Sequence, residues 1–392
     1  MRVAIDLTAT PKNKTGIGRY MLGLLKGLQE SDNENEYILF AQDDDLDGFG
    51  VYKDNFKFVP VNHRILRKQW IRVLWEQIVL PFRIRKQAID VLHCPNFTMP
   101  YFLRLFSHKT AVVGTLHDMT YFFLPEYHVG WKREMFKAYI KMTSKACDKV
   151  ITISQNSKAD IAKYCKLRNK DVSVTYMGVK EKFFDTAPAS DSTLQNYGID
   201  SKFILYVGTL EPRKNIPGLI EGYAGLSDQI RDEYKLVIIG KKGWLYEEIF
   251  ETVSKDSRLK DKIVFTGYVA DEDMIPLMRA SSVFAYVSFY EGFGIPVIEG
   301  MASRKPVVTS IGSSIEEIAS GFGFLCDPKN TKTITKALDE AIAEDKAIER
   351  CEEQALLRLE KQCEHAKMFS WKECGKNSIK AYEEAYEVRN GK

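Results

Sequence analysis

The chain has 392 residues, 45% of them hydrophobic and 28% charged, with a net charge of +3; these values exclude a disordered or fibrous class and predict two domains, each with its own core. Its seven cysteines are scattered and never form a C-x-x-C pair, which predicts reduced thiols and neither a disulfide framework nor a zinc site. No run reaches the ~18 apolar residues of a membrane span, and MRVAIDLTAT lacks the apolar stretch of a secretion signal, so the expected location is cytoplasmic, with peripheral contact at the inner membrane face.

Short β-branched runs alternate with amphipathic stretches, the pattern of parallel sheets covered on both faces by helices. In the first half the predicted strands are 3–7, 37–41, 57–61, 90–94, 110–118 and 149–154, with helices over 18–29 and 131–147 and Ser154 as a helix cap. The rhythm restarts with strands at 203–210, 235–240, 262–267, 282–288 and 306–310, and the tail from Lys332 reads as helical. Residues 185–201, rich in turn and small polar residues, read as a linker between domains over 1–184 and 202–370, and 371–392 as a final helix returning toward the first domain.

Charge is divided between the halves: residues 1–190 carry 29 Lys and Arg against 20 Asp and Glu, while the remainder is acidic. Much of the excess lies in Arg64–Lys86, with seven basic residues against Glu76 alone. Trp70, Ile71, Leu74, Trp75 and Ile78 recur there at helical spacing, giving an amphipathic helix interrupted near Pro81. Two readings are open: the stripe packs on the core with the arginines solvated, or the helix contacts an anionic membrane or a polyphosphate. A nucleic-acid role has only this basic stretch and no recognised module, and none is expected.

The segment EGFGIPVIE, Glu291–Glu299, follows a predicted strand and so lies at a strand's carboxyl end, where open α/β sheets bind ligands. Gly292 and Gly294 permit close backbone approach, and Pro296 suits the first turn of a helix beginning at Ile295. Amides at that helix start would face a diphosphate. The two carboxylates, one in the loop and one in the helix, can flank one ligand from different places.

This spacing resembles the E-x7-E motif of glycosyltransferase family 4, a group of retaining GT-B enzymes, and the likeness extends over essentially the whole chain. The resemblance implies an α/β fold of two Rossmann-like domains whose parallel sheets face each other across a cleft. It implies that Glu291 binds the transferred sugar and Glu299 the nucleotide ribose, with Gly292, Phe293, Gly294 and Ile295 lining the donor. The string from Gly208 to Arg213 and Lys214 resembles the family's phosphate-binding pair, placing two cations on a leaving diphosphate. TGIGRY lacks the third glycine of a dinucleotide fingerprint; the resemblance places Gly16 and Gly18 near the donor phosphates and acceptor, with Arg19 a weaker candidate. His117, alone more often structural, corresponds to a histidine beside the reacting sugar, next to Asp118. Tyr268 and Val269 correspond to the segment lining the base.

The acidic clusters 43–45 and 271–273 have no partner motif, so no metal or other cofactor is expected; the second reads as an acidic helix start. The opening IDLTATPKNKTGIGRY, with WEQIVLP and DVLHCPNFTMP, resembles bacterial mannosyl- and rhamnosyltransferases of surface polysaccharide synthesis. It implies a hexose donor, GDP-mannose first, and a glycan or lipid-linked acceptor. A rhamnosyl- or glucosyltransferase, a GT-B epimerase and a non-catalytic nucleotide-sugar-binding subunit are the alternatives.

Overall fold

Among the described residues thirteen strands form two separate sheets in which every pair of neighbours runs parallel. The computed structural model describes residues 1–12, 14, 16–124, 130–167, 172–185 and 190–391. It divides into an N-terminal unit, Met1–Gly178 with Ser370–Lys392, and a C-terminal unit, Val179–Phe369.

In the N-terminal unit β1 (Arg2–Asp6), β2 (Glu36–Gln42), β3 (Phe56–Val61), β4 (Val91–Cys94), β5 (Ala111–Thr115), β6 (Lys149–Thr152) and β7 (Val172–Val174) take the order 3-2-1-4-5-6-7. In the C-terminal unit β8 (Lys202–Val207), β9 (Tyr234–Ile239), β10 (Ile263–Gly267), β11 (Val283–Tyr286), β12 (Val307–Ser310) and β13 (Phe324–Cys326) take the order 10-9-8-11-12-13. Both are doubly wound sheets in which strand order reverses beside the first strand. Central strands covered on both faces need apolar residues at successive positions, and β4, β5 and β11 are buried along their whole length. The three-residue edge strands β7 and β13 are too short for periodicity to mark them, and the sequence reading passed over both.

The segment 185–201 lies inside the C-terminal unit and includes the short helix Asp191–Asn196; residues 186–189 lie outside the described residues. The chain passes between units earlier, at Gly178, and again before the final helix Trp371–Asn390. That helix belongs to the N-terminal unit because glycines let it lie against the first helix, Ile17–Ser31. A Cβ on Gly27 would stand 1.9 Å from the Trp371 carbonyl oxygen, and one on Gly375 would stand 2.3 Å from the Gly27 backbone. Trp371 itself fills the space left by Gly23 and Gly178.

One expectation for Arg64–Lys86 is corrected, and one of its two open readings falls. The helix Gln69–Lys86 runs through Pro81 without interruption, the proline being buried on its inner side. The apolar stripe does not pack on the core: Trp70, Leu74 and Ile78 are exposed, and Trp75 alone of the five packs against the buried cluster around Leu80 and Ile84. The inner face is held by a polar pair, Arg72 and Glu76, both buried.

Candidate active site

In a doubly wound sheet the loops leaving the two strands on either side of the order reversal diverge, opening a crevice at their carboxyl ends. In the C-terminal unit those strands are β8 and β11. The loop after β8 carries Gly208, Glu211, Arg213 and Lys214; the loop after β11 carries Glu291 and leads into the helix Ile295–Ala302. The loops are stitched together by the Phe289 amide donating to the Arg213 carbonyl at 3.0 Å, and by Asn215 Nδ2 donating to the carbonyls of Val287 (3.1 Å) and Pro328 (2.7 Å).

Glu291 is the hub. Arg213 Nη1 donates to its Oε2 at 2.7 Å, while Lys214 Nζ (2.7 Å) and Tyr286 Oη (3.1 Å) donate to its Oε1. Arg213 also reaches the Tyr290 carbonyl (3.0 Å) and Glu211 Oε1 (2.9 Å from Nη2), and Lys214 reaches Tyr286 Oη at 2.6 Å. Burial alone would push the Glu291 carboxyl up; Arg213 and Lys214 override it and hold it at about 2. Lys214 is itself pressed down by burial and by neighbouring Arg213, against the pull of Glu291 and Glu211. Two carboxylates and two cations thus make a cluster of no net charge, with every donor already oriented.

The loop beyond Glu291 is fixed by Ser314, whose hydroxyl lies 2.7 Å from the Glu291 carbonyl and 3.0 Å from that of Phe293. Gly294 caps the helix at φ 101°, and a Cβ there would meet Ile315 Cγ2 at 2.2 Å; only glycine fits both constraints. Gly292 and Phe293 are buried, and Glu299 is buried on the helix whose first residue is Ile295. Gly208 stands at the end of β8 beside Gly240, whose Cβ would lie 1.8 Å from the Gly208 oxygen. At the end of β10, Tyr268 is exposed with Lys241 Nζ 5.7 Å from its ring centroid, while Val269 is buried. Glu211, Tyr286 and Ser314 were missed by the sequence reading. Glu211 had a signal, lying two residues before Arg213 in one turn; Tyr286 and Ser314 looked like ordinary strand and helix-start residues.

In the N-terminal unit Gly16 caps the first helix at φ 53°, with open space where a Cβ would stand, and Gly18 lies in its first turn; Thr15 of TGIGRY lies outside the described residues. His117, buried just past β5, donates from Nε2 to the Pro95 carbonyl at 3.0 Å and meets the Tyr20 ring edge-on at 4.8 Å. Burial lowers its pKa, against the Pro95 contact and Asp118, which favours a neutral ring with Nδ1 as the acceptor. Asp118 caps Thr120, at 2.7 Å from its hydroxyl. Behind this lies His93, bridging Tyr382 Oη (2.8 Å) and Thr115 Oγ1 (2.7 Å), with burial and then His117 lowering it to about 3. Near the β1–β4 order reversal a second polar group gathers: Asp6 accepts from Thr8, and Glu76 accepts from Thr98 Oγ1 (2.9 Å) and Arg72 Nη1 (3.2 Å). Burial and then Asp6 raise Glu76 to about 7. Glu76 lies in WEQIVLP and His93 in DVLHCPNFTMP, stretches whose likeness to surface-polysaccharide transferases singles out neither side chain.

Asp43, Asp44 and His63 each offer a ligand atom, all within 4.8 Å of one another. Arg67 already donates to both Asp44 oxygens at 2.9 and 3.0 Å, and His63 Nδ1 lies 2.6 Å from Asp43 Oδ1. In the second acidic cluster, Asp273 accepts from Tyr197 Oη at 2.7 Å at the start of the helix Asp271–Ala280.

Residues 14–183 match the family model described as Glycosyltransferase Family 4, and residues 192–358 the one described as Glycosyl transferases group 1. The chain is 30% identical over 378 residues to O-antigen chain mannosyltransferase B of Escherichia coli, covering 94% of this chain and 96% of that relative. It is also 30% identical over 225 residues to O-antigen chain mannosyltransferase RfbU of Salmonella typhimurium, covering 57% of this chain and 59% of the relative. Among solved structures, a glycosyltransferase from Rickettsia africae ESF-5 superposes with a TM-score of 0.73 at 17% identity over 98% of both chains. Anabaena Alr3699/HepE in complex with UDP and glucose superposes with a TM-score of 0.70 at 16% identity, over 97% of this chain and 98% of that one. With a full-length relative at this identity, both halves matched by family models and two doubly wound parallel sheets, the chain belongs to glycosyltransferase family 4 and has the GT-B fold.

Proposed function

We propose that this glycosyltransferase is a retaining, metal-independent mannosyltransferase that uses GDP-mannose to extend a glycan or lipid-linked acceptor in surface polysaccharide synthesis, working at the cytoplasmic face of the membrane. The observation that carries the reading is the cluster of Arg213, Lys214 and Glu291 at the order reversal of the C-terminal sheet. The two O-antigen mannosyltransferase relatives support the choice of sugar.

In this reading the bond from the sugar's anomeric carbon to the diphosphate breaks, and negative charge grows on the departing oxygen. Arg213, Lys214 and the first amides of the helix Ile295–Ala302 stabilise that charge. The acceptor oxygen bonds to the anomeric carbon on the face the diphosphate leaves, and its proton passes to a diphosphate oxygen. Glu291 holds sugar hydroxyls and keeps both cations aimed; Glu299 holds the ribose hydroxyls. Gly208, Gly292, Phe293, Gly294 and Ile295 line the donor, Tyr268 and Val269 its base. In the N-terminal unit Gly16 and Gly18 approach donor and acceptor, and neutral His117 accepts a hydrogen bond from a sugar hydroxyl at Nδ1.

Mass spectrometry of the products from a panel of nucleotide sugars tests the donor. Mannose transfer or release of GDP from GDP-mannose is expected; turnover of another donor with GDP-mannose inert refutes the sugar. Anomeric configuration of the product, read by NMR, tests retention.

A further inference from the structure

Over its first half the helix Gln69–Lys86 is amphipathic in the reverse of the usual sense, while farther on Leu80, Pro81 and Ile84 are buried. Its inner face carries the Arg72–Glu76 ion pair, and Thr98 bonds Glu76 from the neighbouring loop. Gln77 fastens the same helix by donating to the Met99 carbonyl (2.8 Å) and accepting from the Tyr101 amide (2.8 Å). These bonds fix the rotation of the helix, so the outward placement of its exposed apolar residues is built in.

Outward stand Trp70, Leu74, Ile78 and Phe82, spaced four residues apart and 65, 52, 55 and 53% exposed. On a helix this spacing forms one slowly winding stripe, roughly 18 Å from first to last. Phe82 touches Phe106 with ring centroids 4.3 Å apart, and the adjoining short helix Leu103–Phe106 and the residue before it add Leu105 and Phe102, 71 and 54% exposed. An exposed apolar surface of this extent marks an interaction site.

Charge selects the partner. Exposed Arg64 and Lys68 lie at one end of the stripe, and exposed Arg85 and Lys86 at the other. The one acidic residue of Arg64–Lys86 is Glu76, turned inward. A second copy laid along the stripe in either direction brings basic ends onto basic ends, whereas an anionic lipid surface neutralises both. Among the described residues no helix is long and apolar enough to cross a membrane, so contact is in the plane of the interface. We propose that this face docks on an anionic bilayer, with Trp70, Leu74, Ile78 and Phe82 among the upper acyl chains and Arg64, Lys68, Arg85 and Lys86 on the phosphate headgroups.

Flotation of the full chain with vesicles tests this independently of donor or activity. The protein is expected to float with phosphatidylcholine vesicles containing phosphatidylglycerol and to remain below with phosphatidylcholine alone. Leu74→Asp combined with Ile78→Asp should weaken partitioning by more than about tenfold, and Arg85→Gln combined with Lys86→Gln on the order of 30-fold. Both pairs lie at exposed positions, so thermal melting should match the parent; the second pair keeps the test valid should the first fail to fold. Absence of the parent from the floating fraction with phosphatidylglycerol, or flotation of both variants like the parent, overturns the proposal. So does a solution dimer that the first pair dissociates while the parent fails to float, which would assign the stripe to a second copy.

Discussion

Lys214 Nζ lies 2.7 Å from Glu291 Oε1, and the pair is buried at the point where strand order reverses in the C-terminal sheet. Arg213 takes the second carboxylate oxygen at the same distance, 2.7 Å. In the proposed roles, the carboxylate that binds the sugar also orients the cations that meet the diphosphate, so donor contacts and charge stabilisation would form one network.

Loss of Arg213 should act on turnover more than on donor binding, because its charge matters most as the diphosphate departs. Arg213→Ala is expected to lower kcat on the order of 10²-fold or more, with a smaller change in KM. Steady-state kinetics on the preferred donor checks it; unchanged kcat removes Arg213 from the charge-stabilising role.

Acid should weaken the C-terminal unit through Glu291. Its carboxyl, raised by burial but overridden by Arg213 and Lys214, sits at about 2 against an ordinary 4.5. The folded value is the lower one, so the stabilisation is complete above the ordinary value and fades as pH falls toward about 2. Urea midpoints across this window should fall less steeply for Glu291→Gln than for the parent.

His93 gives a second window at milder pH. Burial, reinforced by His117, lowers it to about 3 from an ordinary 6.5. Below 6.5 the unfolded chain binds a proton that folded His93 refuses, so this contribution is present above 6.5 and lost as pH falls toward 3. His93→Gln should flatten the stability profile over that interval, measured by urea unfolding.

The close passage at Gly27 and Gly375 leaves no room for a side chain. Gly27→Val should displace the helix Trp371–Asn390, costing ~3 kcal/mol or more by overpacking. A lower melting temperature and early proteolytic loss of the C-terminal segment are the expected readouts.

Catalysis through side-chain cations and helix amides predicts that excess chelator leaves turnover intact. Activity that disappears with chelator and returns with magnesium or manganese contradicts the metal-independent reading.

The alternation of apolar runs and amphipathic stretches was enough to place eleven of the strands, because a parallel sheet covered on both faces demands apolar residues at successive positions. Glu291, Arg213 and Lys214 were legible too, each lying in a short string at a strand's carboxyl end, where local spacing carries the signal. Tertiary structure alone decided three further matters. Tyr286 and Ser314 reach the loops of Arg213 and Glu291 from a strand and from a later helix start, and no local pattern encodes that meeting. His93 meets Tyr382 from 289 positions away, only because the final helix packs on the N-terminal unit. The helix Gln69–Lys86 shows the limit most clearly: helical periodicity placed Trp70, Leu74 and Ile78 on one stripe, but a stripe has no inside until its neighbours are known. The buried bonds of Arg72, Glu76 and Gln77 to each other and to the loop after β4 turn that stripe outward.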